Sequence, residues 1–206
     1  MTTYLPVSFS DLEPLSQYLG LLFDWDGTLA DSQVVNFLSI RTALSAFGLA
    51  IEQEWFDART GVSTREMASL VAEQSGYRGD LDVAAIVDLR DREYLKRLHE
   101  VSEVLHVSDV LRRHRGTRRI ALATGGGAKT VLPTVHALGL DEEFDAIVTR
   151  EDVEKGKPHP DIFLLAASRL ELLPRHCLVY EDSDEGIAAA TTAGMDVIDV
   201  RPLRQL

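Results

Sequence analysis

The chain carries a single cysteine, Cys177, in 206 residues. One thiol cannot form an internal disulfide or a cysteine-based metal cluster, and such sparing use suits a reducing compartment. Cys177 sits in an apolar stretch and is read as a small core residue. Long apolar runs are also missing. Nothing approaches the ~18 residues of a membrane span, and Met1 to Gly20 shows no basic segment followed by an apolar one. A cytoplasmic protein with no membrane partner is expected. Positive charge is scarce: Lys+Arg 21 against Asp+Glu 33 leaves a formal net charge of -12. That field repels nucleic acid and anionic lipid alike, so no nucleic-acid partner is expected.

What remains is 45% hydrophobic and 26% charged, the make-up of an ordinary globular protein. There is no internal repeat and no low-complexity linker. The length fits one core with an insertion better than two full domains, and the expected state is a monomer.

Short apolar runs bounded by turn signals occur at Gly20–Phe23, Arg119–Ala123, Ala146–Val148, Cys177–Tyr180 and Val197–Val200. They read as buried parallel strands. Helical patterns lie between the later ones, at Thr130–Leu138, Pro160–Leu170 and Glu185–Ala193, with Gly139 and Gly194 as C-terminal stops. This alternation predicts an α/β fold with a Rossmann-like, doubly wound parallel sheet. Between residues 32 and 106 the patterns are helical (Val34–Phe47, Arg65–Gln74, Leu81–Leu98), without a convincing strand. An inserted all-helical cap over residues 32–106 is expected, with residues 1–31 and 107–206 forming the catalytic core. A short helix is expected around Asp11–Tyr18, and no role is assigned to the first twenty residues.

Four segments fall at expected strand ends. Phe23-Asp24-Trp25-Asp26-Gly27-Thr28 places two carboxylates two positions apart just past an apolar strand. Like charges so close are costly unless a cation or a reacting phosphate uses them; the bland alternative is a solvated Asp-rich turn. Ala123-Thr124-Gly125-Gly126-Gly127 offers a hydroxyl and then backbone that can approach an anion ahead of a helix. The same stretch, continued as Ala128-Lys129-Thr130, is one residue from a nucleotide-binding P-loop, with Ala128 where glycine should precede the lysine. A P-loop-like nucleotide binder is therefore a rival of another class, disfavoured by Ala128, by Pro133 early in the next helix, and by having no use for the Asp24–Asp26 pair. Farther on, Lys157 precedes Pro158-His159-Pro160, which fix the loop and aim the lysine. Glu181-Asp182-Ser183-Asp184-Glu185-Gly186 again sets acids at a strand end, more of them than a helix cap explains. Together the four segments read as a metal and phosphate site, and hard carboxylate oxygens without Cys or His select Mg²⁺.

In this order the four segments resemble the haloacid dehalogenase superfamily, in particular its phosphatases with a helical cap inserted after the first segment; the match spans about Gly20 to Val200. Within it the chain looks most like the fructose-1-phosphatase and 6-phosphogluconate phosphatase group, next to β-phosphoglucomutase. The resemblance implies a phosphoric monoester hydrolase acting on a small sugar phosphate. In it Asp24 would be the nucleophile that forms an aspartyl phosphate, and Asp26 the group that protonates the leaving oxygen and then activates water. Thr124, Gly125 and Lys157 would hold the phosphoryl oxygens. Mg²⁺ would be held by Asp24, the Asp26 carbonyl and Asp182, with Glu181 assisting. Arg65, in the cap loop Gly61-Val62-Ser63-Thr64-Arg65, and Arg90 are candidates to touch the rest of the substrate; each has an equal claim to be a solvated helix residue. Asp26 argues against carbon–halogen chemistry. A phosphosugar mutase remains the alternative, weakened by Asn36 where mutases carry a cap histidine, by the shifted position of Arg65, and by Gly127-Ala128 where they carry longer polar residues.

Overall fold

The computed structural model describes residues 1–59 and 61–205. The chain divides into two compact units, Met1–Asp31 with Ser102–Leu206, and Ser32–Val101. The first is a six-stranded sheet in the order β1-β8-β7-β2-β5-β6, every neighbouring pair parallel. Its strands are β1 (Thr3–Tyr4), β2 (Gly20–Phe23), β5 (Arg119–Ala123), β6 (Ala146–Val148), β7 (Cys177–Glu181) and β8 (Asp196–Asp199). Helices α5 (Leu105–His114), α6 (Ala128–Ala137), α7 (Asp161–Arg169) and α8 (Asp184–Thr192) belong to the same unit.

Parallel strands covered on both faces need apolar side chains at every position rather than alternating ones. β2 and β7 meet that demand, with every residue buried. Alternate side chains serve opposite faces. Leu22, Ala121, Ala123 and Val179 join Ile162, Phe163 and Ala166 of α7 and Ala189 and Ala190 of α8 in one cluster. Phe23 stacks on Tyr180 at 4.6 Å, and the Tyr180 hydroxyl donates to the Leu12 carbonyl at 2.7 Å. The N-terminal segment is thereby anchored.

The order also fixes where a ligand can bind. From β2 the chain runs to β5 and β6 on one side, then to β7 and β8 on the other. A crevice opens at the carboxyl ends of strands flanking such a reversal, and here these are the ends of β5, β2 and β7.

The Ser32–Val101 unit is helical, with α1 (Gln33–Ser45), α2 (Gln53–Asp57), α3 (Thr64–Gln74) and α4 (Val83–Lys96). α1 and α3 pack on α4 around Phe37, Ile40, Leu44, Phe56, Met67, Val71 and Ile86. Among the described residues, no helix is long and apolar enough to cross a membrane.

Three details differ from the sequence reading. The expected return to the core at residue 107 falls at Ser102, because β3 (Ala30–Asp31) and β4 (Ser102–Glu103) pair antiparallel where the chain leaves and re-enters the first unit. Two-residue strands show no alternation for a sequence pattern to detect. The helix expected near Asp11–Tyr18 is a single 3₁₀ turn, Phe9–Leu12. Pro14 disfavours helical backbone at the residue before it, and Glu13 is extended (φ -67°, ψ 126°). The last strand starts one residue earlier than expected, at Asp196.

Candidate active site

Asp24 follows β2, and its N–H still donates to the Tyr180 carbonyl at 3.0 Å, so the sheet ladder itself fixes its backbone. The chain then turns on one carbonyl: Trp25 O accepts from Thr28, Leu29 and Ala30 N–H at 3.1, 3.0 and 2.9 Å. Gly27 sits at φ 88°, a left-handed conformation that favours glycine. Trp25 is fully buried, and its indole Nε1 has no hydrogen-bond partner among the described residues. Asp26 is half-buried.

Thr124 stands in the same way at the end of β5, its N–H bonded to the Val148 carbonyl at 3.0 Å. Its Oγ1 accepts from Gly126 N–H at 2.9 Å. That bond occupies a lone pair and leaves the hydroxyl hydrogen to donate elsewhere. The Gly125 N–H has no acceptor among the described residues. A methyl group placed on Gly126 would lie 3.2 Å from Thr124 Oγ1 and 3.3 Å from Asp26 Oδ2, which brings the glycine loop beside the Asp24–Asp26 turn.

Lys157 enters from the loop before α7, its bond to Pro158 cis. Its Nζ donates to Asp24 Oδ1 at 2.5 Å and to Glu181 Oε2 at 2.8 Å. At the end of β7, Glu181 Oε1 also accepts from Ser183 N–H at 3.0 Å and from Ser183 Oγ at 2.5 Å. Asp182 Oδ1 accepts from Thr28 Oγ1 at 3.3 Å.

Two acids, Asp24 and Glu181, therefore share one ammonium, and a third, Asp182, lies beside them. Asp24, Glu181 and Asp182 are all buried and offer oxygens within 4.8 Å of one another. Lys157 Nζ lies against Asp24 and Glu181 with its side chain 6% exposed. Burial and the Glu181 carboxylate push the Asp24 carboxyl well above the usual carboxylate range, and Lys157 offsets this only in part. Burial works against the Lys157 charge, yet Asp24 and Glu181 hold it above the usual lysine range. A buried excess of negative charge is unfavourable unless a further cation compensates it. The donors are hard oxygens without sulfur or imidazole, so the residues fit Mg²⁺.

The sequence reading thus named Asp24, Asp26, Thr124, Gly125, Lys157, Glu181 and Asp182, and the fold draws all of them to three adjacent strand ends and the loop before α7. Arg65 and Arg90 lie in the helical unit. Arg65 is exposed in the first turn of α3 and forms no ion pair among the described residues. Arg90 is already occupied, donating to Asp91 Oδ1 at 3.0 Å and to Asn36 Oδ1 at 2.6 Å.

Sequence reasoning missed Ser183, Gly186 and Glu151. Ser183 has a readable signal, since it caps α8 by accepting from Gly186 N–H at 3.1 Å. Glu151 has none: it arrives from the turn after β6 to accept from Ala128 N–H, the first of α6, at 3.0 Å. In a P-loop that helix start must receive phosphate. A side-chain carboxylate occupies it here, which counts against the nucleotide-binding alternative.

Residues 21–200 match the family model for haloacid dehalogenase-like hydrolases. The chain is a haloacid dehalogenase-like hydrolase. It takes its place among the phosphoric monoester hydrolases of that family. The hydrolase is 36% identical over 187 residues to a fructose-1-phosphate phosphatase of Escherichia coli, covering 91% of this chain and 98% of that protein. It is 25% identical over 185 residues to a β-phosphoglucomutase of Bacillus subtilis, covering 87% and 82% of the two chains. A predicted phosphoglycolate phosphatase from Haemophilus somnus shares the fold with a TM-score of 0.80 at 24% identity, over 90% of this chain and 86% of that one.

Proposed function

We propose that the protein is a Mg²⁺-dependent phosphatase that hydrolyses a small sugar phosphate, fructose 1-phosphate-like or 6-phosphogluconate-like, through an aspartyl-phosphate intermediate on Asp24. The observation that carries this reading is the buried cluster of Asp24, Glu181 and Asp182, with Lys157 Nζ paired to the first two. Similarity to a fructose-1-phosphate phosphatase over nearly the whole of both chains supports the substrate class.

In the first half-reaction an Asp24 carboxylate oxygen attacks phosphorus and the ester P–O bond breaks. The leaving sugar oxygen takes a proton from Asp26. In the second half, Asp26 removes a proton from water as the water oxygen attacks phosphorus, and the bond to Asp24 breaks to release phosphate. Lys157, the Thr124 hydroxyl and the Gly125 N–H hold the non-bridging oxygens and stabilise the charge spread over them in the transition state. Mg²⁺ held by Asp24, Asp182 and the Asp26 carbonyl, with Glu181 assisting, would supply the positive charge that lets an anion approach an anion.

The helical insertion, residues 32–106 in the sequence reading, is proposed as the cap that selects the substrate, with Arg65 and Arg90 as its candidate contacts. The mutase alternative gains nothing from Asn36, whose amide donates to Ser32 Oγ at 3.2 Å and accepts from Arg90 at 2.6 Å. Incubation with a panel of sugar phosphates, with and without Mg²⁺, tests the reading. Phosphate release that needs Mg²⁺ and disappears in Asp24→Asn is expected. Isomerisation dependent on an added bisphosphate, or Asp24→Asn with full turnover, refutes it.

A further inference from the structure

Lys157 reaches the acids from a loop that does little to hold itself. Among the described residues, the backbone from 153 to 158 takes part in one main-chain hydrogen bond, His159 N–H to the Gly156 carbonyl at 3.0 Å. The Val153 and Glu154 carbonyls are taken up by a side chain instead. Arg150 Nη1 donates to the first at 2.8 Å and Nη2 to the second at 3.3 Å. The same guanidinium lies against Gly156, where a methyl group would be 3.0 Å from Nε and 3.3 Å from Cδ. Arg150 is thus the template on which the loop lies, up to the residue before Lys157.

Arg150 is itself fixed. It opens the turn Arg150–Asp152 after β6, where Asp152 Oδ2 accepts from Thr149 N–H at 2.8 Å and from Thr149 Oγ1 at 3.0 Å. Arg169 of α7 holds the other oxygen of Asp152 at 2.6 Å. The Arg150 N–H donates to the Gly126 carbonyl at 3.1 Å. One residue therefore touches both loops assigned to the phosphoryl oxygens, the glycine loop through its backbone and the lysine loop through its side chain. Lys157 Nζ spends two of its three donors on Asp24 and Glu181. The direction of the third, which a phosphoryl oxygen would take, depends on where the loop sets the lysine backbone.

We propose that Arg150 is a positioning residue that sets Lys157 against the Thr124–Gly126 loop. It touches no reacting atom in this role. The inference rests on the phosphatase reading and deepens it by naming what aims the lysine. Glutamine at 150 keeps the backbone bond to Gly126 and loses the fork that spans two carbonyls. Misplacing a catalytic group by about 1 Å costs up to about 100-fold, and the loss cannot exceed that of removing the ammonium itself. Arg150→Gln is expected to lower kcat/KM about tenfold, below the ~100-fold expected for Lys157→Met.

The test compares wild type, Arg150→Gln, Lys157→Met, the double variant and Arg115→Gln, all with Mg²⁺, in phosphate release from fructose 1-phosphate and in calorimetric binding of inorganic phosphate. Arg115 also donates to a backbone carbonyl, that of Glu142 at 3.0 Å, but ahead of β6, at the end of the sheet away from Asp24. Arg115→Gln should keep the wild-type values, while Arg150→Gln loses kcat/KM and phosphate affinity. Added to Lys157→Met, Arg150→Gln should cost nothing further in either readout, because it acts through the lysine. Both losses should persist in about 0.5 M NaCl, where a through-space charge effect is screened. Additive losses in the cycle, losses that vanish at high salt, or Arg150→Gln with wild-type values overturn the inference. Should Arg150→Gln fail to fold, Gly156→Ala takes its place in the cycle, since its methyl group presses on the same guanidinium.

If wild type releases no phosphate from the ester, the phosphatase reading fails, and the inference is judged on the Kd for inorganic phosphate alone. The same non-additivity there supports it, and additivity overturns it. A wild type that binds no phosphate either overturns both.

Discussion

Substituting alanine at Gly186 offers a sharp test of how the site is held. Gly186 lies in the first turn of α8 and carries ordinary helical backbone, so helix propensity alone favours Gly186→Ala by up to about 1 kcal/mol. The structure reverses that sign. The new Cβ would lie 2.1 Å from Glu181 Cδ and 2.2 and 2.5 Å from its two oxygens. A glutamate on the surface would swing aside at little cost. Glu181 is 1% exposed and pinned by Ser183 N–H, Ser183 Oγ and Lys157 Nζ. Clearing the methyl group demands a shift of roughly 1 Å, enough to break one or more of these bonds and strand a buried charge. Hydrogen bonds to charged groups contribute ~1.5–3 kcal/mol, and an uncompensated buried charge more. The expected result is a net loss of about 1–3 kcal/mol in urea unfolding, with a weakened requirement-setting affinity for Mg²⁺ in phosphate release. The control is a double-mutant cycle with Glu181→Ala. Once the carboxylate is gone, alanine at 186 should cost nothing or stabilise, a non-additivity of 1 kcal/mol or more. Gly186→Ala that is as stable as wild type, or strict additivity in the cycle, would refute the claim that Gly186 exists to seat Glu181.

Other expectations follow from the same geometry. Lys157→Met leaves Asp24 and Glu181 without their ammonium beside a third buried acid, so turnover should fall by about 100-fold or more and thermal stability should drop; a variant with wild-type turnover removes Lys157 from the site. Asp24→Asn relieves one buried like charge while an amide oxygen can still face Lys157, so in EDTA its melting temperature should exceed wild type, even as phosphate release is lost. A lower melting temperature would contradict the charge imbalance. Burial pushes the Cys177 thiol up to about 12, so at pH 8 only about 1 part in 10⁴ is thiolate. Iodoacetamide should leave the native protein unmodified and label one site after unfolding; rapid native labelling refutes the buried placement.

The candidate site positions were legible as a group because parallel βα architecture brings strand ends together. Once Gly20–Phe23, Arg119–Ala123 and Cys177–Tyr180 are read as strands, Asp24, Thr124 and Glu181–Asp182 must gather wherever those strands are neighbours. Strand order itself is not written in local pattern, and only the structure shows β5 and β7 flanking β2. The illegible parts share a physical cause: each depends on residues distant in sequence. β3 and β4 are two residues each and exist only through pairing across the helical insertion. Glu151 caps a helix that begins 23 residues before it. Gly186 reads as a weak helix residue until the Glu181 carboxylate is seen against its Cα. Arg90 reads as a free cation in sequence, yet Asp91 and Asn36 take up both terminal nitrogens.

The charge arrangement links stability to catalysis in this protein. Lys157 alone does not balance Asp24, Glu181 and Asp182, and burial and the Glu181 carboxylate push the Asp24 carboxyl above the usual carboxylate range. On the proposed phosphatase reading, a further cation held by these acids would favour the Asp24 carboxylate and would shield the approach of a phosphate dianion. Replacing Asp24 by asparagine would ease the imbalance and stabilise the resting chain while, on the proposed reading, removing the nucleophile. A buried excess of carboxylates is thus a cost in folding free energy that the proposed reaction would explain. Ser183 and Gly186 prevent Glu181 from relaxing that excess by moving away.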